Sequence, residues 1–561
     1  MVKRIISFVG GMGREINGLH EAAYLLAGSA VASLLFALIR DRLLAHTFGA
    51  GALLDVYFAA FRVPDFIFIT VASLVSTSIL VPFFIESKTK GIDDLKRSIQ
   101  SLFSVFSMVI FVVCTIAWIV MVPLQKFLFP NLFAMGEGDL LVSVSRILLL
   151  SPMILGLASF FASLTQMENR FLLYALSSPL YNVGIIIGII FFLPSFGIQG
   201  LAFGVILGAV FLLACQIPFI VKDGLWPRLS LTFDWSSVRH VALLAIPRTI
   251  TMSSQQLTML SLIAFASFLG VGSISIFNLA FNLQSVPLSI IGVSYSSAAF
   301  PVLSKLMAEK IRSAFLEKMI SAVKHILFWS IPLSILFVVL RAQIVRTVLG
   351  SGAFNWSDTK LTAAALALFV ISSVGQCLIL LFVRSFYAEG KTSKPLFINI
   401  ISMIATIALG FGLIKLYFAW PQFAYFIQAL LKTEGIDSSL LMLPLAFSLG
   451  TLFNLVLHWR SFEREFPGFN RPVFKTLFDI LGASIIGGYV AYASLRFLDN
   501  IFNIQTFFGI FFQGLCAGVF GIIVIGGILK LLKSPELYLI VETFKHRVWK
   551  VNRESLDQLP S

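Results

Sequence analysis

Charge is what this sequence has least of. Lysine, arginine, aspartate and glutamate make up 12% of its 561 residues, about half the roughly 25% of an ordinary soluble domain. That scarcity excludes a water-soluble multidomain enzyme. Acid is scarcer than base, 27 residues against 41, which leaves a formal charge of +14. In a soluble chain such an excess points to nucleic acid, so the position of the charges has to decide. Cysteine is nearly absent. Cys114, Cys215, Cys377 and Cys516 lie in apolar runs with no short Cys-Cys or Cys-His spacing, which argues against a disulfide framework or a metal site and leaves packing roles. The six histidines include no pair at ligand spacing, and no Walker sequence occurs, so metal catalysis and ATP hydrolysis find no support. No nucleophile with a nearby base emerges, so the expectation is a protein that is not an enzyme and needs no cofactor.

Hydrophobic residues, in contrast, make up 58% of the chain, with 57 phenylalanines. They gather in about fourteen apolar runs near 22–40, 55–85, 98–125, 140–165, 171–193, 197–221, 241–269, 274–300, 322–348, 360–388, 394–418, 440–459, 475–496 and 506–532. About 20 apolar residues suffice to cross the hydrocarbon core as a helix, and a transmembrane barrel would show short alternating segments instead. The expected fold class is therefore an all-α polytopic membrane protein of about 14 transmembrane helices.

Basic residues set orientation, because cytoplasmic loops hold the excess. Of the 41, 29 fall in the N-terminal tail, alternate loops and C-terminal tail, nine in the opposite loops, and three (Arg62, Arg146, Arg248) within spans. Both termini are expected on the cytoplasmic side, and the charge excess encodes topology, with no nucleic-acid partner. Lys3 and Arg4 precede an apolar stretch interrupted by Gly10, Gly11, Arg14 and Glu15, so no cleaved signal peptide is expected.

The chain also echoes itself. Gly49-Ala-Gly51, running into Ala60-Phe61 and Pro64, returns as Gly270-Val-Gly272, running into Ala280-Phe281 and Pro287, at offsets of 221 for the glycines and 220 for the Ala-Phe pairs. Pro179-Leu-Tyr-Asn182 returns more weakly as Pro395-Leu-Phe-Ile-Asn399. The organisation read from this is a cytoplasmic segment 1–21, an N-lobe 22–221 of six spans, a cytoplasmic loop 222–240, a C-lobe 241–460 of six spans, two further spans at 475–532 and a basic tail 533–561. Even-numbered repeats insert with the same orientation, as two lobes related by a pseudo-two-fold axis along the membrane normal, which makes transport the leading function class. The tail is expected to be drawn to anionic membrane lipid.

Ionisable residues at membrane depth normally face a cavity or a partner. Arg62 lies seven residues after Asp55 and three before Asp65, so it can either pair with one of them as a structural bridge or hold a ligand. Arg248 heads a polar stripe of Thr251, Ser253, Ser254, Gln255 and Gln256, for which a cavity lining and a packed helix interface are both open. Asn278 and Asn282 share a helix face, and Arg40-Asp41-Arg42 ends the first span as a binding group, an interfacial anchor or a gate salt bridge. Arginines of this kind suit an anionic substrate, because guanidinium matches phosphate geometry.

The stretch Leu38-Ile-Arg40-Asp41-Arg42 through Phe48-Gly49-Ala-Gly51, Asp55 and Phe61-Arg62-Val-Pro64 resembles the signature of the MurJ/MviN family, the lipid II flippases of the MOP transporter superfamily. Phe265-Ala-Ser-Phe-Leu-Gly270 and Pro301-Val-Leu-Ser-Lys305 resemble it too. The resemblance implies alternating access between two lobes, an undecaprenyl-diphosphate type lipid-linked anionic substrate moved from the inner to the outer leaflet of the bacterial cell membrane, a groove for its tail at spans 13 and 14, and cell-wall synthesis proteins as further partners. Arg40 and Asp55 match family positions implicated in function, and Arg62 a position usually basic. Where the family carries two arginines and a Glu-Gly in span 2, this chain has Phe68-Ile69 and Ser73-Leu74; where it carries charges in span 8, this chain has Phe281-Asn282 and Ser285.

The expected assignment is Arg40, Arg62 and Arg248 on the diphosphate, with Gln255, Gln256, Asn278 and Asn282 on the head group. Asp41, Asp55 and Asp65 are coupling or gating candidates, driven by membrane potential or a coupling cation. The rivals are a flippase for another lipid-linked oligosaccharide, a cation-coupled exporter of the same superfamily, and a membrane scaffold without transport activity.

Overall fold

Long apolar runs leave the backbone one solution inside a bilayer, the helix, and every regular element of the computed structural model is helical among the described residues. These are residues 19–539, except 169, 231 and 232, together with residue 542. The segment 1–21 and the tail 533–561 therefore lie largely outside them. Twelve helices are long and apolar enough to cross a membrane. The first and seventh expected spans are occupied by α1 (Leu19–Phe48) and α8 (Trp235–Ala266). The polar stripe from Thr249 to Gln256 lowers the hydropathy of α8, and the helix starts inside the stretch expected to be a loop to residue 240.

The second span is not one helix. It runs through α2 (Ala52–Ala60), α3 (Arg62–Ala72), a single 3-10 turn at Ser73–Val75, an extended Ser76, and α4 (Thr77–Lys90). The eighth span is interrupted too, nearer its start: α9 (Ser273–Pro287) passes into a π-helical turn at Leu288–Val293 before Ser294–Ala308. Ala52 and Ser273 begin the two spans at the same 221-residue offset as the glycines, and Gly49 and Gly270 both hold positive φ, at 59° and 114°. The internal repeat thus extends to where the two spans begin. Irregular backbone at depth persists only where protein or a cavity covers it.

Small residues set the closest helix approaches. Between α6 (Phe171–Ile187) and α7 (Ile198–Ala214), a Cβ added to Gly184 would lie 2.2 Å from the Gly208 backbone, and one on Gly204 2.5 Å from Gly188, where a second π turn, Gly188–Phe192, begins. Glycine at both contacts lets the backbones meet, as in small-residue motifs of membrane helices.

Two compact units result: Met1–Leu279, Val348–Thr362 and Thr392–Ala446 form one, and Ala280–Thr347, Ala363–Lys391 and Phe447–Ser561 the other. They cut across the expected lobes. The first unit gains the seventh span because Thr249 and Ser253 of α8 bond Ser73 and Thr70 of span 2 at 2.6 and 3.0 Å. It gains α10 (Ser393–Ala419) because Gly410 packs on Leu262 and Phe265. The second unit has a core of Phe315, Phe382, Phe386, Phe462 and Phe469. In it α11 (Asn470–Leu498) and α12 (Phe507–Leu531) meet closely at Gly487 and Gly521. The four cysteines are free, two buried and two partly so.

Candidate translocation site

Span 2 carries three charged residues within eleven positions, Asp55, Arg62 and Asp65, and the first unit uses each differently. Asp55 is 2% exposed, and its carboxylate accepts three hydrogen bonds: from the Gly272 N–H at 2.6 Å, the Ser275 N–H at 2.7 Å and the Ser275 hydroxyl at 2.6 Å. These are orphan donors at the start of α9, and a carboxylate there is stabilised by the helix dipole as well. The first glycine loop is held from a further direction, since the Asp358 carboxylate accepts from the Ala50 N–H at 3.3 Å. Gly272 fits only as glycine, with φ at +85° and a Cβ that would stand 2.2 Å from the Ala50 carbonyl oxygen.

Arg62 makes no ion pair with Asp55 or Asp65. Its Nε donates to the Phe58 carbonyl at 3.1 Å and its Nη2 to Asn278 Oδ1 at 2.8 Å, while Asn278 Nδ2 donates to the Ile274 carbonyl. Of the two roles open to Arg62, the bridge is not found: Asp55 is already saturated by α9, and the guanidinium is engaged by Phe58 and Asn278. Arg62 and Asp55 together fix the first turns of α9 against span 2. Arg40, in the C-terminal third of α1, forms a comparable node, donating to Asp41 at 2.8 and 2.9 Å and to Asn182 Oδ1 at 3.0 Å; Asn182 belongs to the weaker of the two sequence echoes.

Arg248 lines a cavity of about 280 Å³ whose walls include Phe68, Ile69, Ser73, Ser76, Thr77 and Met252. It reaches the break in span 2, beside Phe68 and Ile69. The polar stripe that follows it divides: Thr249 and Ser253 pack into the helix interface, Ser254 bonds its own helix at Ile250, and Gln255 is exposed with Gln256 half-buried. Asp65 lines a second cavity of about 580 Å³ that shares the Phe68, Ile69, Ser159 and Ala162 walls. Arg62 is not among the residues lining either. Asn282 and Ser285 belong to the second unit, where the Ser285 hydroxyl donates to the Asn282 carbonyl.

Several of these partners were missed by sequence reasoning. The repeated glycine pairs marked the loop at 270–272, but nothing in the sequence indicated that Asp55 would cap α9, that Asn278 would take Arg62, or that Asp358 would hold Ala50. No group of three or more metal-ligating side chains occurs among the described residues.

Duplicated interrupted spans around a polar core define a membrane transporter, not an enzyme. The structure is similar to a solved lipid II flippase MurJ in an inward closed conformation, with a TM-score of 0.71 and 23% identity over 91% of this chain and 99% of that one. A multidrug resistance MATE family transporter of the MOP superfamily, in an inward-facing conformation, scores 0.63 at 15% identity over 80% of this chain and 99% of that one. Both likenesses bear on the fold. The family model described as lipid II flippase MurJ matches residues 44–512, and the chain belongs to that family. Among curated relatives, the probable lipid II flippase MurJ of Buchnera aphidicola subsp. Schizaphis graminum is 25% identical over 85% of this chain and 89% of its own length. That of Thermotoga maritima is 26% identical over 66% and 75%.

Proposed function

We propose that the protein carries lipid II, or a closely similar polyprenyl-diphosphate saccharide, from the inner to the outer leaflet of a bacterial cell membrane. Family membership over 44–512 is the observation that carries this reading. Within the site, Arg248 is the residue assigned to the diphosphate. It brings a guanidinium to the cavity walled by Phe68 and Ile69, the two positions where the family resemblance calls for arginine. Arg62 holds α9 against span 2, and repositioning that helix is how binding would be coupled to movement. Arg40 and Asp41 act in the same structural sense at Asn182. Both termini lie on the cytoplasmic side in this reading, and cell-wall synthesis proteins receive the product.

The test is depletion of the resident lipid II flippase in a bacterial host, followed by expression of this chain. Growth is restored by the wild type and lost with Arg248→Ala, while Arg248→Lys restores it in part. Failure of the wild type despite normal membrane levels would remove lipid II as the substrate. Full rescue by Arg248→Ala would remove the residue from the site and leave the family assignment standing.

A further inference from the structure

Asp65 is the one carboxylate of span 2 that accepts no hydrogen bond among the described residues, although the Arg62 charge acts on it from one turn away. Its neighbours in sequence are spent elsewhere: Asp55 on α9, and Arg62 on Phe58 and Asn278. Among the described residues, no hydrogen bond or ion pair reaches the Asp65 side chain; its backbone N–H donates to Phe61 in the helix. It lines the cavity of about 580 Å³, where five N-lobe helices converge: Ser29 from α1, Asp65 from α3, Ser159 from the helix Leu150–Met167, Tyr181 from α6 and Leu212 from α7, with Gln216 just beyond. Gln216 is fully buried, donates through Nε2 to the Leu212 carbonyl, and leaves its Oε1 with no partner.

A carboxylate at membrane depth is costly to keep charged and unpaired, so it is retained where something neutralises it. What the cavity offers beside Asp65 is oxygen: the Ser29, Ser159, Ser178 and Tyr181 hydroxyls and the Gln216 amide. Oxygen donors around one carboxylate suit a hard cation or a proton, and with the Arg62 charge also acting on that carboxylate a single positive charge is favoured over a double one. We infer that Asp65 is a monovalent-cation site, taking a proton on its carboxylate or a sodium ion among these oxygens, and that occupancy of this N-lobe site couples the protein to an ion gradient. The coupling role rests on the transport reading above; the binding site does not. The ionisable groups that interact with Asp65 are Arg62 on its own helix and Tyr57 and Tyr181, and among the described residues neither a second carboxylate nor a histidine lines the cavity.

The site can be read without substrate in the full-length protein reconstituted in liposomes. In the proton arm, infrared difference spectra between alkaline and acidic buffer show a protonated-carboxyl band that is absent from Asp65→Asn and kept, shifted, in Asp65→Glu. In the sodium arm, the wild type melts at a higher temperature as sodium chloride replaces choline chloride, because a ligand of the folded state alone stabilises it. Asp65→Asn loses that rise, and Gln216→Leu reduces it. A positive result in either arm supports the site and names the ion. If wild type and Asp65→Asn agree in both arms while Asp65→Glu folds normally, the inference fails, and lipid II complementation is untouched. Failed complementation with a positive arm would sink the substrate reading and keep the site.

Discussion

Asp55 and Asp65 lie ten residues apart on one span and share a chemistry, yet the fold treats them as opposites. Asp55 is closed in at the start of α9 with three donors at 2.6 to 2.7 Å. Asp65 faces a cavity with none. A buried carboxylate is stable when hydrogen bonds replace the water it lost, and a carboxylate with no such bonds is available to bind. The first is therefore part of the structure that positions α9. The second has its chemistry still to perform.

The largest effect expected from breaking this contrast is Asp55→Ala. It strands two backbone N–H groups and one hydroxyl, and buried unsatisfied donors cost about 1–3 kcal/mol each. Thermal unfolding of the purified protein should report a loss of about 3 kcal/mol or more, and a Ser275→Ala partner mutation should cost much less in the Asp55→Ala background than in the wild type. Additive losses would mean the two residues are not coupled. Gly272→Ala attacks the same contact from the other side and comes next. The new Cβ meets the Ala50 carbonyl oxygen while φ stays at +85°, and strain of that kind costs about 1–3 kcal/mol. An unchanged melting temperature in Gly272→Ala would show that the glycine loop relaxes freely.

A third carboxylate places similar hydrogen bonds near water. Asp234 caps α8, accepting from the Ser237 hydroxyl at 2.6 Å and from the Ser236 and Ser237 N–H groups at 3.1 and 3.4 Å. The Ser237 hydroxyl bond, the largest cause, holds its carboxyl below the usual carboxylate range. A depressed folded value means that the cap stabilises the fold above the unfolded value and is lost as pH falls through the folded one. Asp234→Ala should cost about 1 kcal/mol at neutral pH, as caps do. The difference from wild type should vanish in strong acid, and a difference that persists there would assign the effect to packing.

The span pattern, the family and the duplication were all legible in the sequence, because apolar period, loop charge and repeated glycines are local signals. Ala52 and Ser273 begin their spans at the offset the glycine pairs announced. The breaks were not legible: Ser73-Leu-Val-Ser76 reads as one more stretch of a continuous apolar run, and the cover supplied by α8 and the helix Leu150–Met167 makes its irregular backbone tolerable. Nor was the assignment of partners. Spacing placed Arg62 within reach of two aspartates, but the competing donors came from Gly272 and Ser275, more than 200 residues away, and the competing acceptor from Asn278. Arg248 lines a cavity, whereas beside it Thr249 and Ser253 take the helix interface, since hydroxyls can satisfy one another across two helices and an arginine needs more room.

The smallest expected change is the sharpest test of the contrast. Asp65→Asn keeps the shape of the side chain and removes a carboxylate to which no neighbour donates, so in sodium-free buffer it should cost no thermal stability, and it should raise it where the carboxylate is charged. Asp55→Asn has the same chemistry and should lower stability, because one oxygen becomes an amide group facing the donors of α9 and cannot accept from them. The pair of melting curves thus compares one substitution at two sites on one span. A large loss at Asp65 would mean that donors in the folded protein hold it as they hold Asp55, and the two carboxylates would then differ only in which helix they fasten.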